Sequence, residues 1–581
     1  MRAHKGKALI ALTAAVVLTV SACSSSKAKT GGSTGGNTTK PTGTLIYGEG
    51  SDFPENFFPY IAAGNVTSVA NITGRVLDGI FRLAPDVTYQ QDPDQATSAN
   101  STMVNGQQVV DVKINPKAVW ADGTPITSAD YIFTFNDTKS TDPKQGGCAS
   151  LLGATGYDQV ESITAVGPTE FKMTFLKGKP FADWQGFFSG GSGSSPLLNA
   201  KLMDKGSPTA NCAAITAGWP LKGGIPLANT NGPWLVLPQN INVGSKTVTL
   251  VPNPKYWGAQ PKLARIVYAN IGSDSDTNVK AVQNNEVNMI YPQPQLDLVA
   301  NLKKLSNVTT SINFGPSFEH LDFNTRDPLL AHKEVRQAIA YAIDRPALVA
   351  ATVAKFSDKA SVLGNRLLVS NQTGYEDHSA DYATQNVAKA KQLLTGLGAT
   401  MGADGYYTLG GKKLSFKVMT TQNNPLRNTT IQLMAQQVKA AGIQLIEQPS
   451  ANIFAGKEKP DSLEAGGFQI ALFAWVAGPA LSSNNSIYKS LAAQGGAQGQ
   501  NYTHGADPAV DQALTELAAA ASHTDEIADA NKADKLLWDD LFTLPLYQKP
   551  TLLAYDSNYK GIADNSTQAG PLWNNDQFSV G

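Results

Sequence analysis

The residue types that most often perform enzymatic chemistry form no catalytic arrangement in this sequence. No two histidines are spaced as H-x-x-x-H or H-E-x-x-H, the patterns that place two zinc-binding imidazoles on one helix face. No Walker-A motif occurs, and the one G-x-S-x-G match, Gly31–Gly35, lies in a Ser/Gly-rich segment rather than in a strand-to-helix nucleophile elbow. The Glu376-Asp377-His378 cluster could ligate a metal, but we interpret it as a solvated loop. We therefore expect a protein that is not an enzyme, with no cofactor and no metal site. The histidines are His4, His320, His332, His378, His504 and His523.

The N-terminus predicts export and a lipid anchor. Basic residues precede an apolar stretch, 8–20, that is too short at ~1.5 Å per residue to cross a hydrocarbon core of ~30 Å. It predicts a signal peptide over 1–22. Val20-Ser21-Ala22-Cys23 resembles a bacterial lipobox, which implies lipid attachment to Cys23; the alternative is an ordinary signal peptide that ends near a cysteine. Residues 23–44, rich in Ser, Gly and Thr, predict a flexible linker after the lipidated cysteine.

Cys148 and Cys212 are the remaining cysteines. Two cysteines in an oxidising compartment most simply form one disulfide. The alternative is two separate buried thiols. Neither cysteine has a histidine at ligand spacing, so we do not expect a zinc site here.

Composition limits the class of protein further. A chain of 581 residues is long enough for roughly three or four domains. The 46 basic and 47 acidic residues give a net charge of −1, and no basic stripe is present, so we expect no nucleic-acid partner. Charged residues make up 16% of the chain against a typical ~25%, which suits an exported protein with polar, turn-rich surfaces.

The elements that would position any site alternate between strands and helices. Residues 414–418 have strand spacing, 431–438 have helical spacing, Gly442 is a suitable helix C-cap, and 443–445 begin another strand. This order predicts a β-α-β unit in an α/β domain with a largely parallel sheet. Further helical stripes lie at Val335–Ile343, Val387–Leu394 and Ala530–Leu541, and further strands at 246–251, 264–271 and 468–475.

Several segments resemble family 5 of the bacterial solute-binding proteins, the oligopeptide-, dipeptide- and nickel-binding receptors of ABC importers. Ala118–Phe135 resembles the family signature, in which Asp122-Gly123 would form a tight turn and Thr127 with Asp130 would cap the next helix. Other segments follow in family order from about residue 45 to 575. They are Asn253–Gly258 with Pro261–Leu263, Asp276–Ile290, Phe323-Asn324, Val335–Ala338, Ala342–Arg345, Phe468–Trp475, Asn501-Tyr502 and Leu544–Tyr547.

The resemblance implies an α/β periplasmic-binding-protein-like fold of type II, with two lobes joined by two hinge strands. Lobe one would comprise 45–315, with an extra subdomain at about 60–190, and the C-terminal return 552–581. Lobe two would comprise 316–551. A ligand would bind in the cleft between the lobes, which close around it.

The resemblance also suggests which side chains contact a ligand. Trp475 ends a predicted buried strand, where family members place an aromatic against the ligand, and Tyr547 lies near a hinge; each could instead be a core residue. Asn324 and Asn501 could hydrogen-bond peptide groups, or could simply be turn residues. Phe53 and Phe57 follow the first strand, at the expected lip of the cleft.

The sequence departs from the family pattern at the position that would bind the ligand's N-terminus. Peptide-binding members usually carry an Asp shortly after the strand-end Trp, and this Asp receives the ligand's ammonium. Here Trp475 is followed by Val-Ala-Gly-Pro-Ala, with Gly478 in that region and no acid. We therefore expect a ligand that is not selected by a free α-amine at this position, unless another acid such as Asp52 takes over the role.

Taken together, the sequence predicts an extracytoplasmic lipoprotein, a monomer on the cell membrane, that delivers an oligopeptide to an ABC permease. Within the same class, the solute could instead be a sugar, an opine-like compound or a metal chelate. Outside it, the alternatives are a peptide-sensing receptor that does not import, and an extracellular hydrolase.

Overall fold

The computed structural model describes residues 41–581 except 54, 62–63, 65, 143–146, 150, 152–155, 191–195 and 495–498. The predicted signal peptide, Cys23 and most of the predicted linker lie outside these residues. Among the described helices, none combines the length and the apolar character needed to span a bilayer.

Strands and short helices alternate along the described chain. The strands are β1 (Thr44–Glu49), β2 (Phe81–Leu83), β3 (Tyr89–Gln91), β4 (Ala96–Val104), β5 (Gln107–Ile114), β6 (Val160–Gly167), β7 (Glu170–Phe175), β8 (Trp234–Leu235), β9 (Ile241–Asn242), β10 (Thr247–Pro252), β11 (Arg265–Asn270), β12 (Met289–Ile290), β13 (Val308–Phe323), β14 (Thr400–Met401), β15 (Tyr407–Leu409), β16 (Lys412–Lys413), β17 (Ser415–Thr421), β18 (Gln444–Ser450), β19 (Ile470–Val476), β20 (Thr543–Asp556), β21 (Tyr559–Lys560) and β22 (Ser579–Val580). The helices are α1 (Thr67–Val76), α2 (Ser128–Thr138), α3 (Ala200–Met203), α4 (Pro208–Ala217), α5 (Ser275–Gln283), α6 (Leu296–Leu302), α7 (Lys333–Ala342), α8 (Arg345–Ala351), α9 (Val387–Gly396), α10 (Pro425–Lys439), α11 (Asn485–Tyr488), α12 (Pro508–Ala518) and α13 (His523–Asp540).

The predicted β-α-β unit is confirmed. Strands β17 and β18 are parallel, and α10 connects them. Gly442, just past α10, has a φ of 76°, the left-handed conformation that glycine adopts readily after a helix end. The predicted helical stripes lie in α7, α9 and α13, and the predicted strands correspond to β10, β11 and β19.

The main sheet has the strand order β18-β17-β19-β13-β20-β12-β1-β11-β10-β8, with β9 paired to β10. Parallel pairs join β17 to β18 and β19, and β1 to β11 and β12. The prediction of a largely parallel sheet is therefore wrong for the centre, because β13 and β20 run antiparallel to each other and to their outer neighbours.

Strands β13 and β20 join the two halves of this sheet. The first part of β13 pairs with the last part of β20, which also pairs with β12; the second part of β13 pairs with β19. Their register shifts between Phe314 and Phe318 and again between Glu319 and His320. The fold is thus two-lobed, and β13 and β20 are the two connecting strands that the resemblance implied.

Two large apolar cores flank the connecting strands. One contains Leu45, Trp234 and Tyr268 beside β1 and β11. Another contains Phe416 and Ile431 beside β17 and α10. This second core also contains Val282, Leu298 and Leu302 of α5 and α6, so its apolar packing continues across the connecting strands into the part of the chain that precedes β13.

A second sheet, β4-β5-β7-β6, lies in the region predicted to be the extra subdomain. It packs around its own aromatic core, which includes Trp120, Phe171 and Phe188. Helix α2 begins as predicted, because the backbone N–H of Thr127 donates to Asp130 Oδ2 at 2.8 Å. The other oxygen of Asp130 accepts from the N–H of Ala200 at 2.9 Å, so the cap also anchors α3.

The structure contains the predicted disulfide. Cys148 and Cys212 are 64 residues apart, and their Cα atoms are separated by 5.3 Å. Cys212 lies in α4, so the bond ties this helix to the segment that follows α2.

Removing the disulfide should destabilise this lobe. Chain entropy for a loop of this length corresponds to a loss of ~4 kcal/mol in the free energy of unfolding for the Cys148→Ser/Cys212→Ser double variant. Urea unfolding of oxidised wild type and the variant would measure the loss, and peptide mapping without reductant should recover one cross-linked pair. Equal stability of the two proteins, or two freely alkylated thiols in the wild type, would contradict the assignment.

Candidate functional site

A cavity of about 570 Å³ lies between the two lobes, beside the connecting strands. Its size falls within the range of small-ligand pockets, ~300–1,000 Å³. Turns that follow β1, β11, β12 and β17 form most of its wall, and side chains of β13 and β20 reach it from the connection. The lining residues are Tyr47, Gly48, Glu49, Gly50, Ser51, Thr67, Gly272, Ser273, Asn278, Tyr291, Pro292, Gln293, Pro294, Gln295, Glu319, Thr421, Gln422, Asn423, Asn424, Pro425, Leu426 and Lys549.

The topology explains why these turns converge. Strand β1 is parallel to both β11 and β12, so the carboxyl ends of all three strands lie at the same edge of the sheet. The carboxyl end of β17 faces the cavity from the other lobe, where α10 begins. Ligands of open α/β sheets bind outside the carboxyl ends of the strands, which makes this cavity the candidate ligand site.

A buried charge cluster lies where the connecting strands meet the cavity. Arg427 donates to both carboxylate oxygens of Glu319 at 2.9–3.1 Å, and Lys549 Nζ lies 3.5 Å from Glu319 Oε1. The side chains of Glu319, Arg427 and Lys549 are 2%, 6% and 12% exposed. A bidentate pair of this kind fixes both partners in orientation as well as in charge.

The charges shift the pKa values within this cluster. Burial alone would raise the pKa of Glu319, but the charges of Lys549 and Arg427 outweigh it and hold this pKa below its ordinary value. Burial lowers the pKa of Lys549, although Glu319 opposes that change. The cluster therefore places one negative and two positive groups beside the cavity.

Glu49 supplies a second buried carboxylate on the opposite wall. One of its oxygens accepts from the backbone N–H of Gly50 at 3.0 Å and from Ser51. The other accepts from Asn71 Nδ2 at 3.0 Å. Both walls of the cavity thus present fixed polar groups, and the turns between them offer peptide groups.

An aromatic group surrounds the predicted ligand residue Trp475. Its ring is half-buried and stacks between His320 and Tyr502, with both centroids 5.9 Å away, while Phe473 contacts its edge. Side chains alternate along a strand, so Phe318 and His320 lie on the opposite face of β13 from Glu319. Within the described residues, Trp475 Nε1 has no hydrogen-bond partner.

The other predicted polar and aromatic ligand residues lie in the protein interior. Asn324 Nδ2 donates to the carbonyls of Gly466 and Phe468, and Asn501 Nδ2 donates to those of Lys489 and Gly505. Both asparagines therefore hold turns together. 

Tyr547 and Phe57 are fully buried. The Tyr547 hydroxyl lies 3.1 Å from Thr430 Oγ1, and burial raises its pKa. The ligand roles of these residues stay predictions.

The remaining predicted residues lie nearer the surface. Phe53 is half-buried against the core of its lobe. The Asp52 carboxylate is exposed, and it pairs with Lys246 at 2.7 Å and with Asn270 at 3.1 Å. Gly478 has room for a side chain within the described part of the chain, because a Cβ there would meet no described atom closer than Ser483 Oγ at 3.8 Å. None of the eight predicted ligand residues is among those that line the cavity.

Sequence reasoning missed Glu319, Arg427, Lys549 and Glu49. A signal existed for Glu319, since period-2 spacing places this charged residue on the same strand face as Leu321 and Phe323. Arg427 gave no such signal, because its partner lies 108 residues away and the pairing depends on the tertiary fold.

The cluster that we interpreted as a solvated loop forms ion pairs. His378 Nδ1 lies 2.8 Å from Asp534 Oδ2, and its Nε2 lies 3.2 Å from Glu376. Glu376 also contacts Lys535 at 3.1 Å. These contacts fasten the loop to α13.

Two lobes, two connecting strands and a polar cavity between them define a solute-binding protein of the hinged, two-lobed class. The chain belongs to the bacterial extracellular solute-binding proteins, family 5, because the model of the family's middle region matches residues 92–498.

Individual relatives agree with this assignment. The oligopeptide-binding protein OppA of Mycobacterium tuberculosis is 30% identical over 527 residues, which cover 88% of this chain and 82% of the relative. The solved structure of the periplasmic EDTA-binding protein EppA superposes with a TM-score of 0.80 at 25% identity, over 93% of this chain and 97% of the other. The oligopeptide-binding protein AppA of Bacillus subtilis, solved with a nonapeptide, superposes with a TM-score of 0.68 at 19% identity, over 93% and 100%, which shows the shared fold.

Replacing Glu319 should destabilise the fold, because its buried cationic partners would remain without a counter-charge. Glu319→Gln leaves Arg427 and Lys549 without their counter-charge, and we expect a loss of ~3–5 kcal/mol in the free energy of unfolding at pH 7. Because the folded-state pKa of Glu319 is depressed, its stabilisation is present above the ordinary value of 4.5 and is lost as the pH falls through the folded value. Urea unfolding should therefore show a smaller difference in the free energy of unfolding between wild type and Glu319→Gln at acidic pH than at pH 7.

The matched control is Glu516→Gln, which breaks an exposed ion pair with Lys532. Exposed pairs contribute little, so this variant should unfold like wild type at both pH values. The account would be contradicted if wild type and Glu319→Gln differed by the same free energy of unfolding at both pH values.

Proposed function

We propose that this protein is an extracytoplasmic lipoprotein that captures an oligopeptide between its lobes and delivers it to an ABC permease, without chemical change. The observation that carries this proposal is the polar cavity of about 570 Å³ between the lobes. The relative OppA, named as an oligopeptide-binding protein and 30% identical, supports the peptide as the solute.

The proposed mechanism is closure about β13 and β20. Lobe one comprises 45–315 and 552–581, with the extra subdomain at 60–190, and lobe two comprises 316–551. The register shift between Phe314 and Phe318 interrupts the ladder at the junction of these lobes, where a few residues can absorb the backbone rotation of a hinge. The monomer then presents the closed, loaded form to the permease.

The cavity suits recognition of peptide groups more than of particular side chains. Its walls are mostly turns at strand ends, whose backbone groups and ordered waters can bond a peptide main chain. Trp475 and its stacked neighbours lie outside this cavity, on the opposite face of β13 from Glu319. They would contact an apolar side chain of a peptide that extends beyond the cavity.

A metal chelate is the second candidate solute. The structural neighbour EppA is named as an EDTA-binding protein and superposes with a TM-score of 0.80. The two cations beside Glu319 could attract such an anionic chelate. Titration with an EDTA complex, in parallel with peptides, distinguishes the two solutes; turnover of a peptide by pure protein would instead indicate a hydrolase.

Filling the cavity should weaken binding without affecting stability. Gly50 lines the cavity, and among the described residues a Cβ there would meet nothing closer than the Gly272 carbonyl oxygen at 4.0 Å. The Gly50→Leu side chain would therefore occupy ligand space at little cost to the fold. With a peptide that binds wild type, calorimetry should show at least about a tenfold loss of affinity, or ~1.4 kcal/mol.

The matched control is Gly167→Leu, at the end of β6, where a Cβ would also meet no described residue within 4 Å. This variant should bind like wild type. Unchanged affinity in Gly50→Leu, at unchanged thermal stability, would show that the cavity is not part of the binding site.

Blocking the N-terminus of the peptide should change its affinity little. Because no acid follows Trp475 up to residue 480, the N-acetylated peptide should bind within about tenfold of the free peptide.

Lipid anchoring depends on Cys23. A thioether-linked diacylglycerol would supply two acyl chains at ~0.8 kcal/mol per buried CH₂, so Cys23→Ala should release the protein from membranes. Labelling cells with a fatty acid should mark wild type and not the variant. Equal labelling of both would contradict the anchor.

A further inference from the structure

Asp183, His523 and Glu526 meet at a contact between two distant parts of the chain. One potential ligand atom from each lies within 4.8 Å of those from the other two. Asp183 follows β7, in the part of the chain that carries the four-stranded sheet, whereas His523 and Glu526 lie in the first turns of α13. Gln159 Nε2, which donates to the carbonyl of Ala518 at 3.2 Å, joins the same two parts nearby.

The two carboxylates of this cluster are buried. Asp183 is 5% exposed and Glu526 is 1% exposed. Glu526 accepts from the N–H of Leu481 at 3.2 Å and lies 2.9 Å from His523 Nδ1. Oδ2 of Asp183 is also buried, and within the described residues it receives no hydrogen bond.

This arrangement is costly without a positive charge. Two adjacent buried carboxylates repel each other, and a buried acceptor with no donor loses its hydration without compensation. The imidazole of His523 is 61% exposed, so an ion could enter from its side. A divalent cation would neutralise both carboxylates and satisfy the unpaired oxygen of Asp183.

We propose that Asp183, His523 and Glu526 bind one divalent transition-metal ion of the zinc class. One imidazole nitrogen and two carboxylate oxygens are ligands that Zn²⁺ accepts, and a water molecule would complete a four-coordinate site. Magnesium prefers an octahedral shell of oxygen ligands, so the imidazole favours zinc. The ion would tie α13 to the segment after β7 and would be distinct from any solute held in the cavity.

Zinc binding to the full chain tests the proposal directly. The protein should carry no histidine tag, because the tag would itself bind zinc. Metal should be removed on a chelating resin rather than with free EDTA, because a structural neighbour is named for EDTA binding. Titration with ZnCl₂ should show one saturable site, and the melting temperature should rise with zinc concentration as mass action requires. Magnesium chloride should produce neither effect.

Two variants locate the site. His523→Ala removes an exposed side chain and should leave the fold intact, while Asp183→Asn removes a buried charge; each should weaken zinc binding at least tenfold. The control is His332→Ala, which removes another exposed histidine that lies beside a helix start, and it should bind like wild type.

Three results would overturn the proposal: wild type that binds no zinc, His523→Ala that binds as well as wild type, or magnesium that binds as well as zinc. In the first case, a proton shared between the two carboxylates would account for their burial.

Discussion

The pairing of β13 with β20 is the constraint on which the rest of the structure depends. These two long antiparallel strands belong to both halves of the main sheet, and every parallel pair in that sheet lies to one side of them or the other. Because they connect the lobes, the strand ends of β1, β11 and β12 face the end of β17 across a gap. The cavity lies in this gap, and turns form its walls because the chain changes direction where each of these strands ends.

The buried charges lie at the same junction. Glu319 occupies the position where the register of β13 and β20 shifts, and its two cationic partners come from α10 and β20. A buried ion pair adds little stability on its own, but removing one partner leaves a charge that the interior cannot solvate. The cluster thus holds the start of α10, which forms one wall of the cavity, in a fixed position against the connecting strands.

Local patterns in the sequence were sufficient for several of the elements. Period-2 and period-3.6 spacing predicted β17, α10 and β18, and the Thr127–Asp130 pair predicted the start of α2. The antiparallel centre of the sheet was not predicted, since strand direction depends on long connections that spacing does not encode. The candidate site was predicted least well. Residues flagged as hydrogen-bonding, such as Asn324 and Asn501, hold turns together, whereas Glu319 and Arg427 are paired across 108 residues by the tertiary fold alone.

The central claim is that the interlobe cavity holds a peptide that the protein collects outside the cell. Native mass spectrometry of the protein, purified from the cells that produce it and without denaturation, tests this most directly. The account predicts a bound mass beyond that of the chain with any covalent lipid, released on denaturation and identified by fragmentation as peptide. A bound species identified as a metal chelate or a sugar, or a protein that stays ligand-free even after incubation with a peptide mixture, would contradict it.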